Sequence, residues 1–76
     1  KIAIVNVSQL EEKFEDGATV NEAALRVAGL VKGRIDAVKV LGNGDLSIKL
    51  TVVADAVSAS AREKIEKTGG SVEVSA

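Results

Sequence analysis

Six residue types are missing from this chain: it has no cysteine, histidine, tryptophan, tyrosine, methionine or proline. Without cysteine there is neither a disulfide framework nor thiolate chemistry, and the redox compartment leaves no trace in the composition. Without histidine the commonest general base is gone too, and carboxylates alone seldom hold zinc. An enzyme, a specific metal site and a cofactor are therefore not expected. Phe14 is the one aromatic residue, which leaves the core to close packing of Val, Ile, Leu and Ala. Apolar runs stop after a few residues, far short of the roughly 20 that a membrane-spanning helix requires, and no membrane partner is expected. An excess of either charge is also missing, since ten Lys and Arg stand against eleven Asp and Glu, a formal net charge of −1. Free-standing RNA binders draw much of their affinity from a basic surplus that displaces counterions from phosphate. The balance here counts against that function, although a local basic patch can hide inside a neutral sum. The chain opens on Lys1 rather than methionine, as a processed or excised piece of a longer protein would.

What is present is the composition of a folding domain. Apolar residues fill 46% and charged residues 28% of 76 positions, within the globular range and far from disorder. A chain of this length has room for one core, so one globular domain over residues 1–76, monomeric, is expected. Ile2 to Val7 is β-branched and alternating and reads as a buried strand ending at Ser8. Ser8 and Glu11 stand at capping-box spacing and predict a short helix through Leu10 and Phe14. Gly17 marks a turn, Asn21 caps a second helix from Glu22, and Gly29 closes it. "AVKVLG" and "LSIKLTVVA" read as strands joined by a hairpin turn from Gly42 to Asp45, bending at Asn43 and Gly44. Ser58 and Ser60 compete to cap a third helix, Ser60 with Glu63 at capping-box spacing; "TGG" ends it and "SVEVS" forms a last strand. The fold class is mixed α/β (α+β), with short strands, a hairpin and three short helices. Its expected core is Ile4, Val5, Leu25, Val40, Leu41, Leu50, Val52 and Ile65.

Few stretches carry chemistry. Glu11, Glu12, Glu15 and Asp16 form an acidic run without the spacing of a calcium loop, and read as a solvated helix face. "GNGD" lacks the third glycine of a dinucleotide loop and the Gly-Lys-Ser/Thr of a P-loop. It also leads into an expected strand, whereas phosphate loops open a helix. A backbone bend, with Gly42 and Gly44 in angles closed to other residues, is the better reading.

From Lys39 to Gly69, "KVLGNGDL", Leu50, Val52, "VSASA" from Val57, Ile65 and Gly69 together resemble the signature of the large-subunit ribosomal protein fifteen family. Upstream, "VNVSQLEEKFEDGATVNEAALRVAGLVKGR" resembles the segment preceding that signature in bacterial members, so the resemblance spans nearly the whole chain. It implies the C-terminal globular domain of a protein that binds large-subunit ribosomal RNA, supports subunit assembly and resides in the cytoplasmic ribosome. The family's long, basic, glycine-rich N-terminal arm is not in this sequence. The family also commonly places lysine or histidine near Val53 and Asp55, an aromatic near Val57 and lysine near Ala59. Apolar or acidic residues at those positions lower phosphate attraction and remove a stacking surface.

The candidate RNA-facing set is Lys32, Arg34, Lys39 and Lys49 with the corner Gly42, Asn43 and Gly44. Arg62, Lys64 and Lys67 alternate with Glu63 and Glu66 and read as a solvated helix face. Two other readings accompany the ribosomal one. One is an engineered or reconstructed scaffold that keeps the fold with weak or absent RNA binding; the other is a protein-interaction module using an exposed strand edge.

Overall fold

The computed structural model describes residues 1–75; Ala76, the last residue of the expected domain, lies outside them. Among the described residues the order is β1 (Ile2–Asn6), α1 (Val7–Lys13), β2 (Thr19–Val20), α2 (Glu22–Val27), β3 (Ala37–Leu41), β4 (Thr51–Ala54), β5 (Ala56–Val57), α3 (Ala59–Lys67) and β6 (Ser71–Val74). The mixed α/β class and the three helices agree with the sequence reading.

The strands form two three-stranded sheets, ordered β1-β3-β5 and β2-β4-β6, and every pairing is parallel. Odd strands lie in the first sheet and even strands in the second, so the chain changes sheet at each step. It is a coil of three turns, each laying one strand on each sheet. In the first and third turns the crossing from first sheet to second is made by a helix, α1 or α3. In the middle turn it is made by residues 42–50, which have no regular secondary structure.

This topology overturns the hairpin. Antiparallel pairing of β3 with β4 would need a free edge on β3, and both its edges are taken, by β1 and by β5. The alternation of "LSIKLTVVA" is genuine in burial, since Leu50 is buried and Leu46 and Ile48 pack against the core. Regular pairing begins only at Thr51, where β2 and β6 flank β4. The two-residue strands β2 and β5 were invisible to periodicity, being too short to show a period.

Valines and leucines facing inward from both sheets meet the helices. Val5, Leu25, Val40, Leu50, Val52 and Ile65 are buried as expected, joined by Val7, Leu10, Val20, Val31, Val38, Ala54 and Ala61. Ile4 is a correction: it is 50% exposed. It shares the outer face of the first sheet with Ile2, while Val5, one residue on, points inward, as the period-two geometry of a strand demands. Leu41, on the same outer side of β3, is only half-buried.

Helix ends follow local capping chemistry. Asn6, rather than Ser8, is the N-cap of α1: the Asn6 N–H donates to Gln9 Oε1 at 2.8 Å, whereas Asn6 Oδ1 is buried without a hydrogen-bond partner. The spacing from Asn6 to Gln9 equals that from Ser8 to Glu11, and the earlier pair wins. Ser58 caps α3 by accepting from the Ala61 N–H at 3.2 Å, which puts Ser60 inside the helix and leaves its expected box with Glu63 unformed. Asn21 caps α2 as expected. Both α2 and α3 end in paired carbonyl-closing bonds, Leu30 to Leu25 with Gly29 to Arg26, and Gly70 to Ile65 with Gly69 to Glu66.

Candidate nucleic-acid interface

The glycine corner is wedged between the helices of the neighbouring turns. A Cβ on Gly42 would collide with Ser60 Oγ and with backbone atoms of Ser60 and Ala61 at the start of α3. One on Gly44 would strike the Ser8 side chain of α1. Gly44 also has φ +90°, a conformation that disfavours any side chain. Gly42 does not, so its requirement is space rather than backbone angle. Between them the Asn43 carbonyl accepts from the Ser8 N–H at 3.2 Å. The Asn43 residue is exposed, and among the described residues no hydrogen bond engages its side chain.

Charged side chains hold the rest of residues 42–50. From α3, the Lys64 ammonium donates to the Gly42 carbonyl at 2.6 Å and to the Gly44 carbonyl. From α1, Glu11 accepts from the Ser47 N–H at 2.8 Å and the Ser47 hydroxyl at 2.6 Å. Those bonds, the hydroxyl first, hold the Glu11 carboxyl below its ordinary glutamate value. Past the end of α1, Asp16 accepts from the Lys49 N–H at 2.6 Å, and the Lys49 carbonyl accepts from the Gly17 N–H at 2.7 Å. The acidic run is therefore only partly a solvated face: Glu11 and Asp16 supply the acceptors that a strand neighbour would otherwise have provided. An open groove of about 430 Å³ runs along this seam, lined by Asp45, Leu46, Ser47, Lys64, Lys67 and Thr68.

The structure brings some of the expected set together and separates the rest. Gly42, Asn43, Gly44 and Lys49 share the middle crossing. Lys39 stands on the outer face of the first sheet, in register between Ile4 and Ala56. Lys32 and Arg34 lie on the connection that enters β3, whereas the corner leaves its other end, and five strand residues span about 16 Å. All four cations are exposed, and none joins an ion pair among the described residues. Other charges are engaged: Arg26 with Glu22 at 3.0 Å, Arg62 with Glu66 at 3.8 Å, and the Lys1 amino terminus with Asp36.

The cation nearest the corner is Lys64, which periodicity had assigned to a solvated face. No spacing rule links position 64 to 42–44; the contact exists because the third turn stacks on the second. Asp55 was likewise read only as an acidic departure from a basic pattern. Its carboxylate accepts from the Val38 N–H at 2.7 Å while its own N–H donates to the Val38 carbonyl at 3.0 Å, joining the β4–β5 corner to β3.

A three-turn parallel coil with a glycine corner clasped between two helices defines the class, and comparison with known proteins supplies its family. Residues 4–73 match the family that takes in the ribosomal proteins 50S-L15 and 50S-L18e and their 60S counterpart. The large ribosomal subunit protein uL15 of Akkermansia muciniphila is 64% identical over 74 residues, covering 97% of this chain and 49% of that protein. The uL15 protein of Desulfosudis oleivorans is 53% identical over 73 residues, covering 96% and 49%, and that of Lactobacillus acidophilus 54% identical over 72 residues, covering 95% and 49%. The chain belongs to this ribosomal-protein family, a family of structural proteins rather than enzymes. It spans about half the length of the relatives it matches. Identities of this size favour neither the engineered scaffold nor the protein-interaction module.

Proposed function

We propose that residues 1–76 act as one globular domain of a large-subunit ribosomal protein, binding ribosomal RNA and supporting subunit assembly in the cytoplasmic ribosome, as a single copy. Family membership supports the reading, and one observation carries it: Lys32, Arg34, Lys39 and Lys49 are exposed and unpaired with any acid among the described residues. Side-chain ammonium and guanidinium groups left free in this way are available to phosphate. With a net charge of −1 and only a handful of such contacts, the domain alone binds weakly, and the interaction is one of low salt.

The test is a salt series with large-subunit RNA fragments, starting at roughly 50 mM, where each neutralised phosphate contributes a slope of about −0.7 to −0.9 in log affinity against log salt. Replacing Lys32, Arg34, Lys39 and Lys49 by Ala together is expected to flatten that slope. No binding at the lowest salt, or an unchanged slope in the variant, refutes the reading.

A further inference from the structure

We propose that Glu11, Asp16 and Lys64 are positioning residues that pre-form residues 42–50 as a rigid RNA-contacting ridge, with Asn43 and Lys49 as its reaching side chains. The inference rests on the RNA-binding reading and names the part of the surface that does the recognising. Residues 42–50 have neither helical nor sheet hydrogen bonds of their own. A segment of this kind is ordinarily mobile, and ordering it on binding costs affinity. Here the backbone is fixed from both flanks: Lys64 takes the carbonyls of Gly42 and Gly44, Glu11 takes the Ser47 N–H and hydroxyl, and Asp16 takes the Lys49 N–H. The Ser8 N–H adds a bond to the Asn43 carbonyl. What this clasp leaves outward is the Asn43 amide, able to donate and accept toward a base edge or a ribose hydroxyl, and the unpaired Lys49 ammonium. Asp45, also exposed on the ridge, disfavours phosphate there and confines close approach to the two ends.

The sign of one effect separates positioning from bulk electrostatics. Removing acidic residues from a weak RNA binder raises affinity if charge alone matters. Glu12 and Glu15 belong to the same run but make no bond to residues 42–50. The double variants Glu11→Ala/Asp16→Ala and Glu12→Ala/Glu15→Ala therefore delete the same charge, and only the first unfastens the ridge. RNA affinity of each is measured well below its thermal midpoint, with amide hydrogen exchange of the free chain at Ser47 and Lys49.

The expected result is that Glu11→Ala/Asp16→Ala binds about three- to tenfold more weakly than the parent, while Glu12→Ala/Glu15→Ala binds as tightly or more tightly. Exchange at the Ser47 and Lys49 amides is expected to quicken about tenfold or more in the first variant alone. If the first variant tightens binding as the second does, or its two amides exchange no faster, the positioning role is overturned. A parent chain that binds no RNA at low salt instead removes the functional reading itself and the ridge with it.

Discussion

Lys64, on the third helix, closes over the carbonyl of Gly42 at 2.6 Å and that of Gly44 as well, so a residue of the last turn fixes the shape of the middle one. A charged donor on two partly exposed backbone acceptors contributes modestly, since water competes for both. Lys64→Met, which keeps the aliphatic stem, is expected to lower unfolding free energy by about 1–2 kcal/mol in urea titration. An unchanged midpoint would show that the ammonium is merely resting on the corner.

Gly42 should tolerate no side chain. A methyl group there meets backbone at the start of α3, which cannot rotate aside as a flexible side chain can. Gly42→Ala is expected to cost about 1–3 kcal/mol, the usual range for overpacking, read as a drop in denaturation midpoint with the slope unchanged.

Two neighbours on β1 make opposite predictions. Val5→Ala empties a site with no solvent exposure and is expected to cost about 2 kcal/mol. Ile4→Thr alters a side chain already 50% exposed and is expected to stay within about 0.5 kcal/mol of the parent. Equal losses in both would mean that the outer face of the first sheet is covered after all.

The bond between Glu11 and Ser47 carries an acid signature. The folded carboxyl titrates below its ordinary value, so the unfolded chain takes up the proton first as pH falls. The stabilisation is fully present above the ordinary glutamate range and is lost as pH drops through the lower folded value. The stability difference between the parent and Glu11→Gln should therefore be constant near neutrality and shrink on acidification below about pH 4.3, the ordinary glutamate value. A difference that instead grew with acid would assign the bond to another state.

A basic substitution at position 55 is compromised as a probe of RNA affinity. Asp55→His removes the acceptor that serves the Val38 N–H and is expected to destabilise the domain by about 1–2 kcal/mol, whatever it does to phosphate attraction. Ala59→Lys, at an exposed position, restores the family's cation without touching that bond. Thermal melts of the two variants should separate these effects: a large loss for position 55 and a small one for position 59.

What could be read from the sequence was whatever depended on neighbours along the chain. Asn21 as a cap, Gly29 and Gly69 as helix ends, and the inward-facing valines follow from local spacing and alternation, and the structure has them where the residues said. What could not be read was contact across turns. Glu11 to Ser47, Asp16 to Lys49 and Lys64 to Gly42 join positions 36, 33 and 22 apart, and no periodicity encodes such a distance. The hairpin failed for the same reason. Two alternating runs around a glycine corner look alike whether they pair with each other or each joins a different sheet. The glycines themselves were noticed for the right residue type and the wrong cause, since Gly42 answers to a helix eighteen residues downstream rather than to its own backbone angles.

Because every strand pairs with the one two steps along, nothing in this chain is complete until something made later arrives. As it leaves the site of synthesis, β3 offers an open edge until β5 emerges, and β4 until β6 does. The middle crossing, with no hydrogen-bonded structure of its own, waits for Lys64. A nascent chain halted before residue 59 would thus carry unsealed edges and an unclasped corner, the state most open to wrong partners. The final turn works as a latch, and the order in which the residues are made is also the order in which the molecule becomes safe.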